Sequence, residues 1–104
     1  MEKPAKKRME FYDYDECSNY LQDKYKYDER DYIGRYKEWG VDATKPYLDF
    51  WHWIIANNEV SNGCFIDFTK GVLDEIQENW VKTIYKYYLD EFAENGKLKM
   101  FVSW

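Results

Sequence analysis

Apolar residues recur at helical spacing through most of the chain and at strand spacing near both ends. Arg8 to Tyr14 (RMEFYDY) alternates, with Met9 and Phe11 on one side and Tyr12 and Tyr14 on the other, which predicts a strand. Asp13 followed by Glu16 fits a capping box, so a helix is expected to open there with Cys17, Tyr20, Leu21 and Tyr25 on a shared face. A second start stands at Asp28, and Tyr32, Ile33, Tyr36 and Trp39 mark its buried stripe up to Gly40. Residues 14–39 fit either one bent helix or two.

Thr44 before Lys45-Pro46 reads as an N-cap with proline in the first turn. The helix it opens, Pro46 to about Asn58, is apolar nearly all round, with Tyr47, Leu48, Phe50, Trp51, Trp53, Ile54 and Ile55. A helix without a polar face is expected at the centre of a domain. Asn62-Gly63, between Val60 and Cys64-Phe65-Ile66, predicts a hairpin. From about Thr69 to Asn95 a single helix is expected. Its stripe is Leu73, Ile76, Trp80, Ile84, Tyr87 or Tyr88, and Phe92; Asp74, Glu75, Glu78, Lys82, Lys86 and Asp90 lie opposite, and Gly96 takes the C′ position. Lys97 to Trp104 alternates again, placing Leu98, Met100, Val102 and Trp104 on one face of a half-buried strand.

Assembled, these elements predict an α+β fold, with three or four helices packed on a small antiparallel sheet. The terminal strands and the short hairpin form that sheet. Residues 1–7 read as a flexible basic tail, and residues 8–104 as a single globular domain.

Composition adds a constraint. The chain has 104 residues, of which six are Phe, five Trp and eleven Tyr. A domain of this size buries about two-thirds of the surface its unfolded chain exposes, so some rings are expected on the surface. The formal charge is −5, from 20 acidic and 15 basic residues, and the acidic bias lies between Glu10 and Asp67. That balance argues against direct nucleic-acid binding and favours a basic partner. The four charges of the tail (Lys3, Lys6, Lys7, Arg8) read as solubilising. Two cysteines without a CxxC, Cys17 and Cys64, read as free buried thiols in a reducing compartment; a disulfide joining them is the alternative. No apolar segment follows the basic N-terminus, and the longest apolar stretch, Phe50 to Ala56, is interrupted by His52. A cytoplasmic protein without a membrane span is expected.

Catalytic chemistry finds little support. His52 is the only histidine. One reading makes it a general base oriented by Asp49, with Cys64 as nucleophile. The other, which the surrounding Trp51 and Trp53 favour, makes it a neutral core imidazole held by Asp49 or by backbone. Scattered carboxylates with one His and two distant Cys match no metal spacing, so neither metal nor cofactor is expected. The acidic pairs Asp15-Glu16, Asp28-Glu29, Asp74-Glu75 and Asp90-Glu91 fall at helix starts or on polar faces, where water keeps them ionised. GxxxxGK[ST], GxGxxG, GxSxG and HExxH are absent from the sequence.

What remains is the tyrosine-rich acidic segment. Helical spacing turns Tyr20, Tyr32 and Tyr36 inward and leaves Tyr12, Tyr14 and Tyr27 without a core place. Those three, with Asp15, Asp23, Asp28, Glu29 and Asp31, form the expected partner-binding face. In size, charge and Tyr/Asp pairing over residues 10–39, the chain resembles small acidic inhibitors. These are bacterial immunity proteins that neutralise nuclease toxins, and phage proteins that mimic nucleic acid. The resemblance carries over no residue roles; it implies a non-enzymatic binder that occupies a basic site on a partner such as a nuclease. The competing expectations are a small enzyme or ligand-binding domain around His52, Cys64 and Asp49, and a structural or self-associating subunit. The oligomeric state is left open.

Overall fold

The strands and the three longer helices bury apolar residues against a shared set of rings, and this core fixes how the elements meet. The structure, a computed structural model, describes residues 2–6, 10–25 and 45–104. The expected helical start at Asp28, its stripe to Trp39, and the Thr44 cap lie outside the described residues. In chain order the elements are β1 (Tyr12–Asp13), α1 (Tyr14–Tyr25), α2 (Lys45–Asn58), β2 (Phe65–Thr69), α3 (Lys70–Glu75), α4 (Asn79–Phe92) and β3 (Lys97–Phe101). The fold is α+β: among the described residues, four helices pack on a three-stranded sheet.

The sheet differs from the expected one in two ways. Its order is β1-β3-β2, so the C-terminal strand is central, and it is mixed rather than antiparallel. β1 runs parallel to β3, with Tyr12 opposite Met100, while β2 is antiparallel to β3, with Phe65 opposite Phe101 and Phe68 opposite Leu98. Residues 8 and 9 of the expected strand lie outside the described residues; in the rest the named strand is Tyr12–Asp13, ended by a helix that begins at Tyr14 and is capped by Asp13. Its carboxylate accepts the Glu16 N–H at 3.1 Å.

Asn62-Gly63 makes a turn, but not a hairpin between neighbouring strands. Gly63 has φ 80°, and the Cys64 N–H closes the turn on the Ser61 carbonyl at 3.2 Å. The Gly63 N–H then donates to the Val102 carbonyl and the Val102 N–H to the Cys64 carbonyl. Two residues thus oppose one, a bulge that glycine's positive φ permits. The tighter turn is at Asn95-Gly96. Both residues have positive φ (54° and 75°), and Glu94 and Lys97 exchange backbone bonds at 2.9 and 3.0 Å. Gly96 is therefore a turn residue rather than a helix C′ residue.

The expected helix over 69–95 is broken. Residues 65–69 form β2, α3 ends at Glu75, and Ile76 and Glu78 adopt extended backbone before α4 begins. The break lets Ile76 reach the core. α4, not α2, is the central helix: Val81, Ile84, Tyr85, Tyr87, Tyr88, Leu89 and Phe92 are all buried. α2 buries Tyr47, Phe50 and Ile54 but exposes Leu48, His52 and Ala56. In the core, the Tyr88 ring stacks on Phe50 and on Tyr14, each at 5.5 Å between centroids, and Phe68 stacks on Tyr85 at 4.7 Å. Such pairs contribute about 0.5–1.5 kcal/mol each beyond area burial.

Candidate functional site

Two of the eight residues expected at the partner face are excluded by burial alone. Tyr12 and Tyr14 are in the core. The short β1 turns Tyr12 against Phe92 at 5.1 Å, and Tyr14, already helical, packs on Trp51 at 4.8 Å and on Tyr88. Neither presents a ring to a partner. Asp15 and Asp23 are exposed on α1. Tyr27, Asp28, Glu29 and Asp31 lie outside the described residues.

His52 is not the core imidazole that its tryptophan neighbours imply; it is exposed on the outer face of α2. Neither His52 nor Cys64 lines any of the clefts described here. The Cys64 thiol is half-buried, with Sγ 2.8 Å from the Ser61 hydroxyl. Cys17 is a free, fully buried thiol, and burial, reinforced by Asp13 and Glu16, pushes it up to about 12. A thiol so rarely ionised is a packing residue. Among the described residues no group of three His, Cys, Asp or Glu is arranged to hold a metal ion, and no helix is long and apolar enough to cross a membrane.

Carboxylates and rings do meet, but elsewhere. A cleft of about 460 Å³ opens between the C-terminal half of α2, the edge strand β2 and the extended link between α3 and α4. Asp67 comes from β2, Glu75 from the end of α3 and Glu78 from the N-cap position of α4. Between them lie Trp53 and Tyr85, with Val72 and Ile76 as aliphatic wall and Asn57, Asn58 and Gln77 as amides. No basic side chain among the described residues lines this cleft, and none of its three carboxylates forms an ion pair with a described residue. Tyr85 anchors the floor. Burial raises its phenol above the ordinary tyrosine value, partly offset by the backbone bond from Thr69.

Sequence reasoning missed this site because it set Glu75 and Glu78 on the polar face of one continuous helix. No Gly or Pro marks the break at 76–78, so the local sequence carries no strong signal for it.

A second cleft, of about 540 Å³, separates α1, α2 and the C-terminal residues, with Trp51 and Trp104 in edge contact at 5.7 Å. Leu48 and Trp104 are exposed beside it, and among the described residues Asp15 is the one acidic side chain that lines it. On the outer face of the sheet, Phe65 meets Phe11 at 4.8 Å and Phe101 at 5.3 Å, and the Lys99 ammonium lies over Phe65 at 5.2 Å.

Comparison with protein-family models, with curated proteins and with solved structures returned no match.

Proposed function

We propose that the protein is a non-enzymatic acidic binding module, acting as an inhibitor in the manner of immunity proteins and nucleic-acid mimics. It occupies a basic site on a partner such as a nuclease or another nucleic-acid-binding protein. One observation carries this reading: Asp67, Glu75 and Glu78 converge on one concave site with Trp53 and Tyr85, and no described cation shares it. Their carboxylates stand where phosphates would meet an Arg- or Lys-lined surface.

The energetics assign different work to the two kinds of group. Exposed ion pairs contribute about 0.2–1 kcal/mol each, so the carboxylates supply orientation and a fast, salt-sensitive encounter. Affinity comes from the half-buried Trp53 and its aliphatic surroundings, where a cation over the indole adds about 0.5–2 kcal/mol. The net charge of −5 points the same way. Asp15 and Asp23 are exposed on α1, outside the lining of this cleft. The competing catalytic reading needs an exposed His52 in a concave site with Cys64 or Asp49; His52 is exposed, but it lines neither of the two clefts above.

The test is reversal of Asp67, Glu75 and Glu78 to Lys together. Capture of a nucleic-acid-binding protein from lysate at low salt, and inhibition of its nucleic-acid binding, should both be lost while thermal unfolding stays cooperative. Capture that is unchanged by the triple reversal would remove the cleft from the interface.

A further inference from the structure

We infer that the partner enters as an extended basic segment that pairs with the free edge of β2, adding a fourth strand to the sheet. This rests on the acidic-cleft reading above and specifies the shape of its occupant.

The strand order β1-β3-β2 leaves one edge of β2 without a neighbouring strand among the described residues. The ladder fixes which groups face that edge. The Lys70 N–H donates to the Gly96 carbonyl, so the bonded pairs of the antiparallel ladder are Lys70 with Gly96, Phe68 with Leu98 and Ile66 with Met100. The backbone N–H and C=O groups of Phe65, Asp67 and Thr69 therefore point away from β3. Thr69 confirms the parity, because its N–H is taken by the Tyr85 hydroxyl at 2.8 Å. Among the described residues Phe65 and Asp67 have no such cover; both are exposed, and Phe65 is 45% accessible. An uncovered strand edge, even a short one, offers main-chain groups for strand addition.

The cleft lies against this same edge, since Asp67 belongs to the strand and Tyr85 closes its last outward position. An added strand alternates its side chains between the two faces of the sheet. Those on the helix side enter the cleft between Glu75 and Glu78, and those on the other side lie beside Phe65 and Asp67. Basic residues on the helix side meet Glu75 and Glu78, whereas on the outer face Asp67 stands opposite Lys99 of β3 and Phe65 offers a ring. A second copy of this chain fits poorly: a two-fold pairing of β2 with itself about Asp67 would juxtapose two acidic clefts.

Two probes decide the matter: a ten-residue peptide alternating Val and Arg, and the same peptide N-methylated along its backbone. Both carry identical guanidinium charge, but only the first can pair as a strand. The unmodified peptide should bind at low salt and protect the amides of Phe65 and Asp67 from hydrogen exchange, and the methylated one should bind about ten-fold more weakly or worse, since its main-chain hydrogen bonds to the edge are lost. Absence of protection at Phe65 and Asp67 overturns strand addition whatever the affinities. Equal binding of both peptides also overturns it; if that binding is abolished by the triple Lys reversal, the acidic-cleft reading stands alone. If neither peptide binds, both readings fall.

Discussion

The backbone N–H of Thr69 donates to the phenolic oxygen of Tyr85 at 2.8 Å, so a side chain of the central helix closes the last outward position of the edge strand. The contact ties the end of β2 to α4 across 16 residues and leaves the edge open only from Phe65 to Asp67.

Replacing Tyr85 by Phe should keep the stacking on Phe68 and leave the Thr69 N–H without its partner. The expected cost is about 1 kcal/mol, read as a lower urea midpoint with unchanged m value. An unchanged midpoint would mean that water replaces the hydroxyl without loss.

The buried hydroxyls of Tyr14 and Tyr88 should respond in opposite directions. Tyr88 hydrogen-bonds Ser18, whereas the Tyr14 hydroxyl lies against that pair and makes no hydrogen bond of good geometry. Burial pushes both phenols above the ordinary tyrosine value. Tyr14→Phe removes an unsatisfied group and should be neutral or stabilising by up to about 1 kcal/mol, while Tyr88→Phe orphans Ser18 and should cost about 1–3 kcal/mol. Equal destabilisation by both substitutions, measured by chemical denaturation, would contradict this assignment.

Glu91 should impose an acid limb on stability. Burial raises its carboxyl, but hydrogen bonds from Lys24 and Tyr25, with the charge of Lys24, outweigh burial and bring it below the usual value of 4.5. A carboxyl lowered on folding stabilises above its unfolded pKa, and that contribution fades as pH falls through the folded one. Wild type should therefore lose more stability than Glu91→Gln as pH drops below about 4.5, as seen in denaturation midpoints taken across that range. Parallel pH profiles for the two proteins would show that Glu91 is not linked to folding.

Local chemistry made several features legible in advance. Asp13 caps α1 as its spacing to Glu16 implied, and Cys17, Tyr20 and Leu21 form the buried face. Leu98, Met100 and Val102 are buried on the alternating C-terminal strand, although Trp104, assigned to the same face, is 65% exposed beyond the strand's end. Tyr12 and Tyr14 misled because burial depends on the elements that cover a residue. No spacing within residues 8–14 announces that Phe92, Trp51 and Tyr88 will close over them.

Caps, turns and side-chain alternation arise between residues a few positions apart, and for that reason the chain's local order wrote the start of α1, the turn at Asn62-Gly63 and the two-faced character of β3. Strand partners, the break at Ile76–Glu78 and the cleft of Asp67, Glu75 and Glu78 depend on which distant surfaces gain most by meeting. Burial of Tyr88, Phe50, Phe68 and Met100 in one core sets β3 between β1 and β2 and leaves the carboxylate-flanked edge of β2 facing outward. The acidic character was present in the composition; its placement beside an open strand edge came only with the packed core.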